Sequence, residues 1–417
     1  MLKPGDIIPL TIEKPAAGGA MIARHEGQVV LVAGAIPGER VQARLARVTK
    51  SVAHAEVVAI EEPSPDRRAV SGDPLCGGCL YSHIGYARQL AIKSDVIGDA
   101  FRRIGHIELA VPVGVAPSPE DGYRMRARLH VRGSRFGFFR EGTHDLCDAR
   151  TTRQLLPATM DALERLMAAV RSTGPGVVRE IELSENLDAS ERVAHLDTSE
   201  ALDPRLVDKL LSVDGFTAGP YVTDAVTIGD ASLKLRRHVQ SFFQGNRYLL
   251  RDLVAHVIDR VPIDSPVLDL YAGVGLFAVA AAVIRGARVT AVEGDARAAA
   301  DLQANGQAIG GTMTTVRAPV ESVGGTGAGI FSLSAVPDMK AGTVIVDPPR
   351  TGMSREALDA VLRVNAARLI YVSCDAATLA RDARRIVDAG HTIERAGAFD
   401  MFPNTPHVET VIVFRRS

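Results

Sequence analysis

From about residue 250 onward, four short apolar runs recur between stretches of helical pattern: "PVLDLYA", "ARVTAVE", "GTVIVDPP" and "ARLIYVSC". Runs this short, rich in Val, Ile and Leu, read as strands buried on both faces. Such strands alternating with helices build a parallel α/β sheet. Residues 239–417 are therefore expected to form a doubly wound, Rossmann-like domain.

The rest of the chain has a different texture. Residues 1–62 contain "DIIPLTIEK", "GGAMIARHEGQVVLVAGAIPGERVQARLARV" and "AHAEVVAIEE", short strands punctuated by glycine turns. That spacing predicts a small β-barrel. "EEPSPDRR" then reads as a linker. Residues 63–238 are expected to form a mixed α+β central domain, and the helical pattern near 85–105 has two candidate homes, that domain or the C-terminal one. "RSTGPG" and "GGTGAGI", the latter at 324–330, read as loops. A chain of 417 residues, 46% hydrophobic and 23% charged, has the bulk properties of a soluble protein of two or three domains. No apolar run reaches membrane-spanning length, and "MLKPGDIIPLTIEKP" lacks the apolar core of a secretory signal. Four cysteines without framework spacing suggest a reducing compartment, so a cytoplasmic location is expected. A net charge of -1 means that any nucleic-acid site must be a local patch.

The first chemical signal is "VLDLYAGVGLFAVAAA", 267–282, which reads strand, glycine turn, helix. Gly273 and Gly275 let the backbone turn tightly and approach a ligand, and the helix offers its N-terminal amides. Twenty residues past Gly273 stands Glu293, placed to accept hydrogen bonds from ribose hydroxyls. This pattern suits NAD or S-adenosylmethionine equally. A second signal is Asp347-Pro348-Pro349-Arg350, where the prolines fix the backbone and hold Asp347 toward the crevice, able to accept from a ring N–H of a planar base. The third is Cys374, where a buried strand ends and a helix begins. In a parallel sheet Asp269, Glu293, Asp347 and Cys374 share one edge. Nothing there resembles a hydride-transfer apparatus.

"YRMRARLHVR", 123–132, alternates cleanly. Arg124, Arg126, Arg128, His130 and Arg132 fall on one face of a strand and apolar residues on the other. The cationic face is expected to be free for phosphates. "KLRRH", 234–238, adds charge just before the Phe242–Gln244 segment.

With these residues in view, the chain resembles the RNA uracil-5-methyltransferases, which use S-adenosylmethionine. "SFFQGN", "VLDLYAGVGLF", "AVEGD", "VDPPR", "YVSCDAATLARD" and "FDMFPNTPHVETVIVF" carry the resemblance, and the N-terminal barrel resembles the TRAM RNA-binding domain. The resemblance implies Cys374 as nucleophile and Glu409 as base. It implies Gln244, Asp269, Tyr271, Gly273, Glu293 and Asp347 around S-adenosylmethionine. Asp347 and Phe242 would meet the target uracil, with Arg124, Arg126 and Arg128 gripping the RNA. Uracil carbon 5 is a poor nucleophile; a thiolate adding to carbon 6 makes it an enolate, and a base must later remove the carbon-5 proton. The target base must leave its stack to reach the thiol. The implied product is 5-methyluridine, with ribosomal RNA of the large subunit favoured over transfer RNA. The expected partner is RNA, with no membrane and no obligate protein partner, the chain acting as a monomer.

One family feature is incomplete. Many members hold a [4Fe–4S] cluster with four cysteines, three in the pattern C-x5-C-x2-C. Here Cys76, Cys79 and Cys147 match, but Val70 stands where the first should be. Either a non-cysteine group such as Asp73 completes the set, or a [4Fe–4S] cluster is bound weakly, or these cysteines are a relic. A cytosine-5-methyltransferase would need a second cysteine after the proline of "VDPPR", and none is there. A purely RNA-binding protein would have degenerate catalytic positions, yet Cys374, Glu409 and the glycine turn are intact.

Overall fold

The structure is a computed structural model describing residues 2–70, 72–172, 177–323 and 342–417. The expected loop at 324–330 and most of "RSTGPG" lie outside the described residues. Strands β1 (Ile7–Pro15), β2 (Met21–His25), β3 (Gln28–Ala33), β4 (Arg40–Val48) and β5 (Val52–Glu62) close into a barrel in the order β1-β2-β3-β5-β4. The period of two decides which residues fill it. Ile8, Leu10 and Ile12 point inward from β1, meeting Val30, Val32, Val41 and Leu45. Tyr81, Ile84 and Ile92 join the same core, so the chain beyond the linker folds back onto the barrel.

Helix α1 (Tyr86–Arg103) begins there and ends elsewhere. Its Ile97, Ala100 and Phe101 are buried against the C-terminal sheet, and the two-residue strand β6 (Val115–Ala116) joins that sheet's edge. Between the candidate homes for this helix, the C-terminal domain receives its second half. Strands β7 (Arg126–Arg132), β8 (Arg135–Phe139) and β9 (Leu146–Asp148), helix α2 (Pro157–Arg171), strands β10 (Val178–Glu185) and β11 (Arg192–Thr198) and helix α3 (Pro204–Leu211) follow. The five strands form a sheet in the order β11-β10-β7-β8-β9. Ala127, Leu129, Ile181 and Leu183 line one face and pack on Leu163, Leu166 and Met167 of α2. A hairpin of β12 (Tyr221–Ile228) and β13 (Ala231–His238) comes next, and its Val226, Leu233 and Leu235 sink into the C-terminal core.

The C-terminal domain runs α4 (Leu250–Ile258), β14 (Pro266–Leu270), α5 (Leu276–Arg285), β15 (Arg288–Glu293), α6 (Ala296–Ala308), β16 (Met313–Arg317), β17 (Thr343–Val346), α7 (Arg355–Val364), β18 (Arg368–Ser373), α8 (Ala376–Asp388), β19 (His391–Phe399) and β20 (Glu409–Arg416). Its sheet has the order β16-β15-β14-β17-β18-β20-β19-β6. The strands from β14 to β18 are parallel and β20 runs against β18. Alternate residues feed two cores. Val267, Ile345 and Ile370 face α4 and α5, while Leu268, Val344 and Leu369 face α1, α7 and α8. The order reverses at β14, between β15 and β17, which opens a ligand crevice beyond the strand ends.

Candidate active site at the carboxyl edge of the sheet

Register brings the key residues together. β18 and β20 pair antiparallel up to Ser373 opposite Thr410. One step further stand Cys374 and Glu409, on adjacent strands at the crevice. On the other side of β18, Val346 pairs with Tyr371, and Asp347 follows Val346 directly. The Cys374 thiol is half-buried rather than sealed. Asp375 caps α8 by accepting from the Thr378 N–H at 2.8 Å, which fixes the backbone that carries the cysteine.

The electrostatics of this edge are unusual. Burial, then the charges of Glu409 and Asp347, push the Cys374 thiol up to about 11, and Arg350 opposes them. Burial pushes the Asp347 carboxyl up to about 7. Burial and Asp347 hold Glu409 well above the usual carboxylate range, again against Arg350. Two acids and a thiol thus share one edge with Asp269, whose carboxyl is raised by burial and by Asp347. Buried, perturbed groups gathered in a cleft mark a working site.

The glycine turn supplies the other half. Tyr271, at φ 60°, takes a left-handed conformation that a bulky residue seldom adopts. Gly273 follows at φ 55°, and a side chain there would meet no atom within 4 Å, so open space borders the turn. Gly275 must be glycine on two counts: φ is 96°, and a Cβ would lie 2.8 Å from Leu302 Cδ1. Glu293 accepts the Gly273 N–H at 2.8 Å and the Asp295 N–H at 2.7 Å, locking the second strand end to the turn. Asp269 is 1% exposed, and its carboxyl has no side-chain hydrogen-bond partner among the described residues, only the Ala278 backbone N–H close by. A buried acid with spare acceptor capacity beside an open glycine turn fits a ligand carrying hydroxyl and ammonium donors, as S-adenosylmethionine does.

The "SFFQGN" segment closes the crevice. Phe243 is buried in the core, while Phe242 is 62% exposed. Gln244 donates to Asp347 Oδ2 at 3.1 Å. Asn246 donates to Ser118 Oγ and Met401 O, and its Oδ1 accepts from Tyr248 and Leu249, starting α4. The Arg126 guanidinium lies 5.8 Å from the Phe242 ring. Its Nε is buried without a partner, and burial, then Arg237, pushes its pKa down to about 10.

Two expectations need correction. The face of β7 alternates as predicted, but it is not a free cationic face. Arg124 is spent inside the protein, donating to Arg126 O at 2.7 Å and Gln154 Oε1 at 2.6 Å. Arg128 meets Glu182 at 2.7 Å and Glu180 at 3.5 Å, and His130 meets Glu180 at 3.0 Å. Both acids come from β10, the neighbouring strand in the sheet. Only Arg126, of the three arginines expected to grip RNA, faces the crevice with an unused donor.

The iron–sulfur expectation also fails the fit. Cys76 and Cys147 are joined in a disulfide, their Cα atoms 5.8 Å apart. Cys79 is a buried free thiol 3.6 Å from the Asp73 carbonyl, and burial pushes it up to about 11. Asp73, the suggested fourth ligand, pairs with Arg140 at 2.7 Å. Among the described residues no three His, Cys, Asp or Glu side chains converge on a metal position. Three sulfurs, two of them bonded to each other, do not make a cluster site.

Sequence reasoning passed over the residues that hold the Glu409 loop. Asn404 Oδ1 accepts from Arg68 at 2.7 Å and Gln89 at 2.9 Å, and its carbonyl accepts from Tyr81 N at 2.8 Å. Lys93, 1% exposed, donates to Asp400 at 2.5 Å and to Phe402 O at 3.2 Å. A lysine and a glutamine in mid-helix, more than 300 residues from their partners, carry no local signal.

Comparisons with known proteins bear on the family and the fold. The family model for tRNA (uracil-5-)-methyltransferase matches residues 189–417, and the TRAM domain model matches residues 2–58. The 23S rRNA (uracil(1939)-C(5))-methyltransferase RlmD of Pseudomonas putida is 31% identical, over 97% of this chain and 93% of that protein. The enzyme of the same name from Methylococcus capsulatus is also 31% identical, over 99% of this chain and 98% of its own length. Among solved structures, the Pyrococcus abyssi tRNA (uracil-54, C5)-methyltransferase with S-adenosyl-L-homocysteine superposes with a TM-score of 0.73. It is 24% identical, and the match covers 97% of this chain and 99% of that one, showing a shared fold.

Proposed function

The chain belongs to the tRNA (uracil-5-)-methyltransferase family and is an S-adenosylmethionine-dependent RNA uracil-C5-methyltransferase, and from that premise we propose that it makes 5-methyluridine in 23S rRNA through Cys374 and Glu409. The observation that carries the mechanism is the β18–β20 register, which sets Cys374 beside Glu409 with Asp347 on the next strand. The preference for 23S rRNA rests on relatives of that name matched over nearly their whole length.

Gln244, Asp269, Tyr271, Gly273 and Glu293 would hold S-adenosylmethionine, which supplies an electrophilic methyl group to uracil carbon 5. Asp347 accepts the uracil N3–H when ionised, and its pKa of about 7 keeps a share of it ionised at neutral pH. Gln244 steadies that carboxylate. Cys374 rests as a thiol at neutral pH, since burial pushes its pKa up to about 11, so its proton passes to solvent as sulfur bonds to carbon 6. Carbon 5 then carries the enolate density. After methylation Glu409 takes the carbon-5 proton, the C5=C6 bond re-forms, and the carbon–sulfur bond breaks to release Cys374 as a thiolate, which regains a proton from solvent. A glutamate whose pKa is raised is the stronger base once ionised. Phe242, exposed at the mouth, would stack on the extruded uracil.

Cys374→Ala is expected to abolish methyl transfer while RNA still binds; turnover by this variant would end the covalent mechanism. Glu409→Gln is expected to accumulate a protein–RNA adduct that survives denaturing electrophoresis. Mapping 5-methyluridine in cellular RNA with and without the gene identifies the substrate: loss of a mark in tRNA, with 23S rRNA unchanged, would overturn the ribosomal assignment.

A further inference from the structure

The cations of β7 are largely neutralised by β10, yet a polynucleotide must be held by positive charge. Unpaired cations, with a histidine whose pKa burial and Arg297 lower, lie elsewhere. On β13, Lys234, Arg236 and His238 point outward at alternate positions, while Arg237 between them is buried on Asp224 at 2.6 Å. No carboxylate forms an ion pair with Lys234, Arg236 or Arg297 among the described residues; Arg297 stands in the first turn of α6. Arg236 instead lies over the Tyr221 ring at 3.5 Å, and Arg297 Nη1 is 3.2 Å from a ring nitrogen of His238. The positive end of the α6 dipole adds to their field.

Of these groups, His238 and Arg297 border a cavity of about 760 Å³, large enough for a nucleotide. Its walls include His195, Phe216, His238, Gln240 and Arg297, with Asp208 as the acid among them. The wall is continuous with the active site along the chain: Phe242 and Gln244 follow Gln240 directly into the crevice. Guanidinium and imidazole groups suit phosphate and ribose hydroxyls, an amide can read a base edge, and Phe216 offers a ring to stack on.

We propose that this cavity is a second nucleotide subsite, which takes a nucleotide next to the target uridine, and that the RNA backbone runs along Lys234, Arg236 and Arg297 rather than along β7. The inference rests on the RNA-methyltransferase reading and adds where the strand lies. Holding the neighbour of the target is a natural way to keep a flipped uridine extruded: the backbone on one side of it is fixed.

The test uses the full chain and a fluorescein-labelled oligouridylate. Arg236→Ala/Arg297→Ala is expected to weaken binding roughly tenfold and to lower the slope of log K against log salt by about 1.4, two phosphate contacts on a single strand. Arg128→Ala, which removes a cation already paired, is expected to change binding by less than about twofold. S-adenosylmethionine affinity should stay the same in all three proteins. Wild-type affinity and slope in the double variant, or lost S-adenosylmethionine binding with RNA binding intact, would overturn the proposal. Arg236→Gln/Arg297→Gln keeps the side-chain bulk if the alanine protein melts early. A 4-thiouridine-containing oligonucleotide is expected to crosslink to the peptides bearing Phe216 or Gln240, and crosslinks confined to the barrel would sink the cavity. Failure of the wild-type protein to methylate uridine in RNA would count against the family chemistry, and it is measured separately from binding.

Discussion

Glu185 and Glu409 are both glutamates almost wholly withdrawn from water, at 0% and 3% exposure. The protein treats them in opposite ways. Glu185 is gripped by two guanidinium groups, those of Arg192 and Arg247, and by the Thr159 hydroxyl at 2.7 Å. Beside it, Asp224 pairs with Arg237, both fully buried, and accepts the Leu187 N–H at 2.8 Å. These pairs tie β10 and β11 to the hairpin and to the start of α4. At the sheet edge the balance is reversed: Asp347 presses on both Asp269 and Glu409, and Arg350 is the cation that opposes it at Glu409. A buried charge with full partners holds a fold together. Buried charges without partners cost stability and are kept where chemistry needs them.

The largest effect expected from this contrast is on stability. Glu185→Gln leaves two arginines facing a neutral amide and should cost roughly 3–5 kcal/mol. Glu409→Gln removes an acid from a crowded edge and should leave the melting temperature unchanged or raise it, although turnover stops. Thermal unfolding of the two variants side by side decides the matter. If Glu185→Gln melts with the wild type and Glu409→Gln melts early, the assignment of roles is inverted.

A smaller effect concerns how the base is aimed. Asn404 sits five residues before Glu409 at φ 63°, a conformation glycine adopts freely. Asn404→Gly therefore keeps the backbone and deletes the side-chain oxygen that Arg68 and Gln89 bind. The expected result is a roughly tenfold lower kcat, about 1.4 kcal/mol, with KM for both substrates unchanged and a longer-lived protein–RNA adduct. A rise in KM with kcat intact would show that this loop serves binding instead of proton removal.

The sheet edge was legible because its signals are local. Buried strands declare themselves by composition, glycines by the turns they permit, and each acid or thiol stands at the end of its own strand. Strand order then does the rest, and it follows from the alternation of strand and helix. What escaped was non-local pairing. Nothing in "YRMRARLHVR" says that Glu180 and Glu182, about fifty residues on, will lie opposite Arg128 and His130. The split role of α1, half in the barrel core and half on the C-terminal sheet, depends on tertiary contacts that an 18-residue helix does not encode by itself. The cysteines misled for a similar reason: a family pattern three-quarters present suggests a cluster, whereas the structure bonds Cys76 to Cys147.

The finest test of the contrast is the pH dependence of stability at Asp347. Burial raises its pKa from 3.8 to about 7, so the folded protein holds this proton more tightly than the unfolded chain does. The sign follows from linkage: the contribution is most favourable below pH 3.8 and is lost as pH rises through about 7. Asp347→Asn keeps an acceptor for the Gln244 amide and removes the titrating group. It also withdraws the charge that raises Glu409, so the two effects act in the same direction, both favouring the variant at high pH. The variant should match the wild type near pH 4 and be more stable by about 1 kcal/mol near pH 8, a figure discounted for the site's partial access to water. That corresponds to a gain of about 2–4 °C in melting temperature. A melting difference that stays constant from acid to alkaline pH, or that favours the wild type at pH 8, would mean that Asp347 is paid for by a partner after all, and the sheet edge would then belong with Glu185 among the protein's structural ion pairs.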